Sequence, residues 1–291
     1  MNPWCTVLVP LFNGGKYLRQ CISALSISLN SGCTCLVIDD ASTDGTYETM
    51  LASGLPRMRL IRNDRNLGLY ACINKGLDTV DTDYVSLIFQ DDVVEAGYFW
   101  QMRRLISTHS AASFFWAAIT VIDDAGDVLS EGLNTGRVEV ISPGVEPWRS
   151  AVRRGTFWTI SGSVSKTERL RHYGFRSDLP HCADYDFLLR AIREETFLYL
   201  EKSLTKIRAH DGQASAHNLA KSLDLLERAM IYSEQKRKFP GDFDLSLRLF
   251  TCRKEMLQAS RRALGQVIRG DFRQAFSTAM LAPEIIRATL L

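Results

Sequence analysis

The chain has 291 residues, of which 46% are hydrophobic and 23% charged, a composition that belongs to globular proteins and excludes a disordered one. Its formal net charge of +2 gives nucleic acid no hold through bulk electrostatics, so no nucleic-acid partner is expected. Seven cysteines, odd in number and mostly inside apolar segments, form no metal-ligand spacing, which argues against structural zinc and a disulfide framework and fits a reducing, cytoplasmic setting.

In chain order, Thr6 to Pro10 (TVLVP) reads as a β-branched strand, with no basic-then-apolar leader before it. Leu11-Phe12-Asn13-Gly14-Gly15 is the turn leaving it, suited to close backbone approach. Lys16 to Leu29 then sets Leu18, Cys21, Ile22 and Leu25 at helical spacing. A second strand, Cys33 to Ile38, ends in Asp39-Asp40 before a loop of turn formers and a helix near Tyr47 to Ala52. The pattern repeats as strand Met58 to Arg62, loop Asn63 to Asn66 and helix Gly68 to Asp78. A fourth strand, Tyr84 to Phe89, ends in Gln90-Asp91-Asp92. Strands alternating with helices imply right-handed crossovers and a mostly parallel α/β sheet.

Beyond a helix around Tyr98 to Ser107, Ser113 to Asp123 reads as a strand, Asp123 to Gly126 as a hairpin turn, and Arg137 to Ile141 as an edge strand. Ser161 to Val164 reads as a small-residue turn opening a helix near Lys166 to Tyr173. Asp184 to Arg190 starts a further helix, and Phe197 to Ile207 is a last strand followed by the loop Arg208 to Gln213. From His217 the chain is helical, as His217 to Lys238, Asp244 to Gly265 and Asp271 to Met280, with Pro240-Gly241 as the main break. This divides a catalytic α/β domain, 1–215, from a helical extension, 216–291. No apolar run has transmembrane length.

Two of the strands finish in paired acids. In open α/β sheets the ligand crevice lies beyond the carboxyl ends of the strands. Adjacent carboxylates there repel unless a cation joins them, and hard oxygen ligands suit Mg²⁺ or Mn²⁺ carrying a diphosphate. Turn and cap roles are the plain alternative, but two acid pairs at one edge of a parallel sheet converge in one crevice, which favours the functional reading. Asp184, at a helix start, is either a cap or a general base. Trp148, Phe157 and Trp158 are either core or a stacking surface for acceptor sugars.

Taken together, the motifs resemble the family 2 glycosyltransferases, inverting enzymes with a GT-A fold, a Rossmann-like mixed sheet flanked by helices. VPLFNGGKYLRQCISAL resembles the opening strand, loop and helix, VIDDASTDGT the second strand with its acid loop, and NLGLYACINKGL the Asn-x-Gly helix. FQDDV stands at the Asp-x-Asp metal motif, ADYDFLLR at the acidic helix start, and RAHDGQAS at the Arg-x-His loop, so the resemblance spans about Thr6 to Gln213. It implies that Pro10 and Phe12 lie along the donor's base, with Asn13, Asn66 and Gly68 on the nucleotide side. Asp40, supported by Asp39, would accept the pyrimidine N3–H and so select a UDP- or dTDP-sugar. Asp92 and His210 would hold Mn²⁺ or Mg²⁺, Asp91 the ribose or a water behind the metal, and Asp184 would be the base. The sequence departs from the family at Ala183, where a carboxylate is usual, and at Gln90, where an acid often stands.

The expectation is an inverting, metal-dependent glycosyltransferase acting on a glycan or lipid-linked acceptor in cell-surface polysaccharide biosynthesis. No Gln-x-x-Arg-Trp motif follows Arg190, which favours single addition over polymerisation. A sugar-1-phosphate nucleotidyltransferase and a catalytically silent binding subunit are the alternatives. Arg261, Arg262, Arg269, Arg273 and Arg287 alternate with Leu264, Val267, Ile268, Phe272 and Phe276. That stripe suits either peripheral contact with an anionic membrane or packing on the catalytic domain or on a second subunit of a homodimer.

Overall fold

The computed structural model describes residues 2–210 and 212–290, so Asp211 of the late loop lies outside the described residues. The first half runs β1 (Cys5–Leu11), α1 (Leu18–Ser28), β2 (Cys33–Asp39), α2 (Thr46–Leu51), β3 (Met58–Arg62), α3 (Leu69–Leu77) and β4 (Tyr84–Leu87). The four strands lie in the order β3-β2-β1-β4, all parallel. β1 is buried along its whole length because helices cover both faces of the sheet. Leu8, Leu36 and Leu87 pack on one side against Ile73 and Leu77 of α3; Val7, Cys35 and Val37 pack on the other against Leu25 of α1.

The chain continues with β5 (Val93–Val94), α4 (Tyr98–Thr108), β6 (Phe114–Ile122), β7 (Val128–Ser130), β8 (Val138–Ile141), α5 (Val145–Arg154), β9 (Ser163–Lys166), α6 (Thr167–Tyr173), α7 (Ala183–Ala191) and β10 (Phe197–Arg208). β9 joins the two halves of the sheet, running antiparallel to both β4 and β6. This corrects the turn expected at Ser161 to Val164. Ser163, Val164 and Ser165 are buried, and small side chains let a strand thread the middle of the sheet without the apolar alternation that marks one in sequence. Trp148 and Trp158 are core residues, with Trp158 stacked on Phe187, so neither offers a face to an acceptor.

β10 runs parallel to β6, so its carboxyl end reaches the same sheet edge as those of β1, β2 and β4. The two-residue β5 pairs antiparallel with β10 and pins the acid turn between β4 and β5 to that edge.

The extension is α8 (Ala214–Ala220), α9 (Leu223–Lys238), α10 (Leu245–Ile268), α11 (Phe272–Ala279) and α12 (Ala282–Thr289). The boundary expected after residue 215 falls inside α8, and the single helix expected from His217 to Lys238 is broken at Ser222, which has φ 58°. No Gly or Pro announces that break; the Ser222 hydroxyl is fixed instead by a 2.9 Å hydrogen bond with the Thr278 hydroxyl. The extension is sealed onto the catalytic domain. Trp148 Nε1 donates to Gln235 Oε1 at 3.1 Å, and the Arg193 guanidinium lies 3.8 Å from the Phe239 ring centre. Asp244 caps α10 by accepting from Leu247 N at 2.9 Å and also ion-pairs with Arg149.

Candidate active site

The carboxyl ends of β1, β2, β4 and β10 gather the expected residues at one edge. Pro10 is buried in β1 opposite Ile38, while Phe12 and Asn13 are exposed just past the strand. Gln90 clamps this turn: Phe12 N donates to Gln90 Oε1 at 2.9 Å, and Gln90 Nε2 donates to the Phe12 carbonyl at 2.9 Å. An acid at position 90 could make only the first of these bonds. Asn13 takes φ 46°, its N–H donates to Ser42 Oγ and its Oδ1 accepts from Thr43 N, which ties the β1 turn to the loop after β2.

Asp39 is fully buried, accepts from Ser42 N at 3.2 Å and pairs with Arg62 Nε at 3.2 Å. Asp40 accepts from Asn63 Nδ2 at 2.7 Å, from Leu67 N at 3.0 Å and from Gly68 N at 2.9 Å. Asn66 Oδ1 accepts from the same Gly68 N–H at 2.9 Å. Both Asp40 oxygens are thus occupied by the loop that starts α3. These bonds give Asp40 an architectural role in holding the start of α3, as expected of a buried carboxylate beside unpaired backbone donors.

At the end of β4 the two acids part company. Asp91 Oδ2 lies 3.2 Å from His210 Nε2 and accepts from Gln213 Nε2 at 3.2 Å; the side chains of Asp91 and His210 are each 15% exposed. Asp92 is 2% exposed and accepts from Arg208 N at 3.0 Å. Burial, and then the charge of Asp91, push its carboxyl up to about 7. The expected metal pair is Asp92 with His210; the acid whose carboxylate lies beside His210 is Asp91. Alternation past the strand end turns one of two adjacent side chains to the cleft and the other inward, and sequence does not say which.

Arg208 is buried, a place its charge tolerates only because its donors are met. Its guanidinium reaches the carbonyls of Asp91 and Asp123 at 3.2 and 2.8 Å and the side chain of Gln20, and lies 4.8 Å from the Tyr17 ring centre. Tyr17 also packs against the His210 ring, with centroids 4.7 Å apart. The arginine of the Arg-x-His loop therefore braces the acid turn while the histidine faces Asp91.

Asp184 stands half-buried in the first turn of α7, where its Oδ1 accepts from Tyr185 N at 2.7 Å. Loss of hydration raises its carboxyl to about 6 against the pull of that N–H. Burial, and after it the charge of Asp184, holds the phenol of Tyr70, in the first turn of α3, well above the usual range. Asp186 is turned away into ion pairs with Arg190 and Arg176.

Sequence reasoning missed Gln90 as a clamp, Arg208 as a brace, and Glu227 of α9. Glu227 Oε2 accepts from His181 N and Cys182 N, at 3.0 and 2.7 Å, at the entry to α7. The signal for Arg208 lay in the Arg-x-His spacing; Glu227 gave none, being 43 residues downstream of Asp184 in an unremarkable helix.

A mixed, mostly parallel sheet with acids at the carboxyl ends of β2 and β4 and a late loop closing over them is a GT-A arrangement. The family model of glycosyl transferase family 2 matches residues 6–161, and the chain belongs to that family. The glycosyltransferase GlyA of Streptococcus pneumoniae is 30% identical over 107 residues, 36% of this chain and 15% of GlyA. GlyG of the same organism is 27% identical over 97 residues, 33% of this chain and 32% of GlyG. EpsH of Bacillus subtilis is 24% identical over 222 residues, 72% of this chain and 62% of its own length. The chain thus spans less than two thirds of each of these relatives. Among solved structures, residues 1–349 of Staphylococcus aureus TarS in complex with UDP-GlcNAc superpose with a TM-score of 0.60 at 13% identity, covering 98% of this chain and 92% of that one. No helix among the described residues is long and apolar enough to cross a membrane.

Proposed function

We propose that the protein is an inverting, divalent-cation-dependent glycosyltransferase that moves a sugar from a UDP- or dTDP-activated donor to a glycan or lipid-linked acceptor in cell-surface polysaccharide synthesis. The observation that carries this reading is a division of labour between acids. An acid–imidazole pair, Asp91 with His210, sits at the end of β4, and Asp184, a half-buried carboxylate near pKa 6, stands apart from it. The uridine nucleotide bound by the TarS structures favours UDP as the donor's carrier.

The site residues fit Mn²⁺ or Mg²⁺. Such ions take one or two protein ligands and complete their shell with phosphate oxygens and water, and Asp91 Oδ2 with His210 Nε2 supplies such a pair. Bound there, the cation would supply a Lewis acid that lowers the charge on the departing diphosphate. The protein's own part is orientation and proton transfer. Phe12 and Asn13, clamped by Gln90 and Ser42, flank the donor's base; Asp39 and Asp40 hold the loops around it. Asp184 takes the proton of the acceptor hydroxyl as that oxygen attacks the anomeric carbon, and one displacement inverts that carbon.

The test is nucleotide release. With Mn²⁺ present, purified protein should release UDP or dTDP from one member of a nucleotide-sugar panel. A protein that releases nothing, and for which calorimetry detects no binding of UDP or dTDP, is not this enzyme.

A further inference from the structure

The helices α10 and α11 form a hairpin whose outward face has no partner among the described residues. On α10, Phe250, Leu257, Leu264 and Ile268 fall on one stripe at helical spacing and are all exposed. The stripe runs into the turn at Gly270 and continues onto Phe272 and Phe276 of α11. Ile268, Phe272 and Phe276 are 77%, 67% and 70% exposed. Three large apolar side chains at the tip of a helical hairpin, all facing water, carry a cost that a folded protein normally avoids. The opposite face of α10 is already occupied, with Thr251, Glu255 and Ala259 buried.

Charge selects what covers this face. Residues 216–291 carry thirteen Lys and Arg against eight Asp and Glu, a net +5, which leaves −3 for residues 1–215. Arg253, Arg261, Arg269 and Arg273 are exposed along the apolar stripe and make no salt bridge among the described residues. Phe250, Arg253, Lys254, Leu257, Gln258 and Arg261 also line a surface hollow on α10. A symmetric contact between two copies would set arginine against arginine, whereas a bilayer rich in anionic headgroups meets both the apolar and the cationic parts.

We infer that the α10–α11 hairpin is a peripheral membrane-docking element. Ile268, Phe272 and Phe276 enter the acyl boundary of an anionic bilayer, and Arg253, Arg261, Arg269 and Arg273 lie among its headgroups. Long arginine stems suit that depth because the chain stays apolar while the guanidinium reaches the phosphates.

Sedimentation of the full chain with vesicles tests this without any sugar donor, so its result is separate from the transferase reading. Protein should pellet with phosphatidylcholine vesicles that contain phosphatidylglycerol and remain largely in solution with phosphatidylcholine alone. The double substitution Phe272→Ser and Phe276→Ser should abolish pelleting while leaving the melting temperature unchanged, since both side chains are exposed. Replacing Arg261, Arg269 and Arg273 with Gln should weaken binding to the anionic vesicles about a hundredfold. The inference is overturned if wild type ignores the anionic vesicles, or if both variants bind them as wild type does. It is equally overturned if wild type is a dimer that the serine substitutions dissociate, with no vesicle binding.

Discussion

Glu227 of the helical extension holds Cys182 at the entrance to α7, its carboxylate 2.7 Å from the Cys182 N–H and 3.0 Å from that of His181. Cys182 is the residue that caps this helix start and His181 the one before it, and the acid that meets both N–H groups arrives from a different part of the chain. The extension therefore fixes the turn on which Asp184 stands. Glu227→Ala should cost about 2 kcal/mol of stability, because the buried Cys182 N–H and the part-buried His181 N–H lose their acceptor. Glu227→Gln keeps an acceptor oxygen and should fold normally. It removes a negative charge that raises the Asp184 carboxyl, while Arg228, which lowers it, stays. The acid limb of the pH–rate profile should move to lower pH in Glu227→Gln, an effect that a purely structural role would not produce.

The pH profile of the wild type follows from Asp184 itself. The base proposed here must be ionised to accept a proton, and burial raises the Asp184 carboxyl to about 6, above the ordinary carboxylate range. Turnover should be flat above pH about 6 and fall as pH drops through it. Asp184→Asn should lower turnover about a thousandfold at neutral pH with UDP binding intact. Measured UDP release against pH, with calorimetric UDP affinity beside it, separates loss of the base from loss of the site.

Much of this was legible in sequence because period and punctuation agree in the first half of the chain. Met58 to Arg62 was read to the residue and the end of β2 to within one residue, whereas β4 stops at Leu87, two residues short of the expected Phe89. β9 was not legible, since Ser163-Val164-Ser165-Lys166 has neither the alternation of a half-buried strand nor the apolar run of a buried one. Where the acids of the motifs make their contacts was not legible. Whether Asp40 serves a ligand or the backbone of Leu67 and Gly68 depends on where a loop 27 residues later comes to rest. Glu227 acts on α7 through a contact across 45 residues, which no local pattern encodes.

Gln90 offers a test of the clamp on the donor side. Its amide bonds both backbone groups of Phe12, so Gln90→Ala frees a turn that the fold otherwise holds in place. The expected result is a donor KM raised about tenfold, with turnover at saturation nearly unchanged, since the loss falls on uniform binding. Gln90→Glu should do no better. It keeps an acceptor for Phe12 N but sets a carboxylate against the Phe12 carbonyl. Steady-state kinetics with the donor identified by the nucleotide-release screen decides this.

The last prediction separates the two acids of the β4 turn. Asp91 touches His210 at 3.2 Å in a partly open site, whereas Asp92 is enclosed and bonded to Arg208 N. If the cation is held by the outer pair, Asp91→Asn and His210→Ala should each remove most of the Mn²⁺ affinity measured by calorimetry in the presence of UDP. Asp92→Asn can still accept the Arg208 N–H through its amide oxygen, so it should weaken Mn²⁺ by about tenfold only, as expected for a residue behind the ligands. The opposite outcome, with Asp92→Asn abolishing Mn²⁺ binding and Asp91→Asn tolerated, would return the ligand role to Asp92. It would also require the acid turn to rotate when donor and cation enter, and a change in β5–β10 amide exchange protection on adding UDP and Mn²⁺ would reveal that rotation.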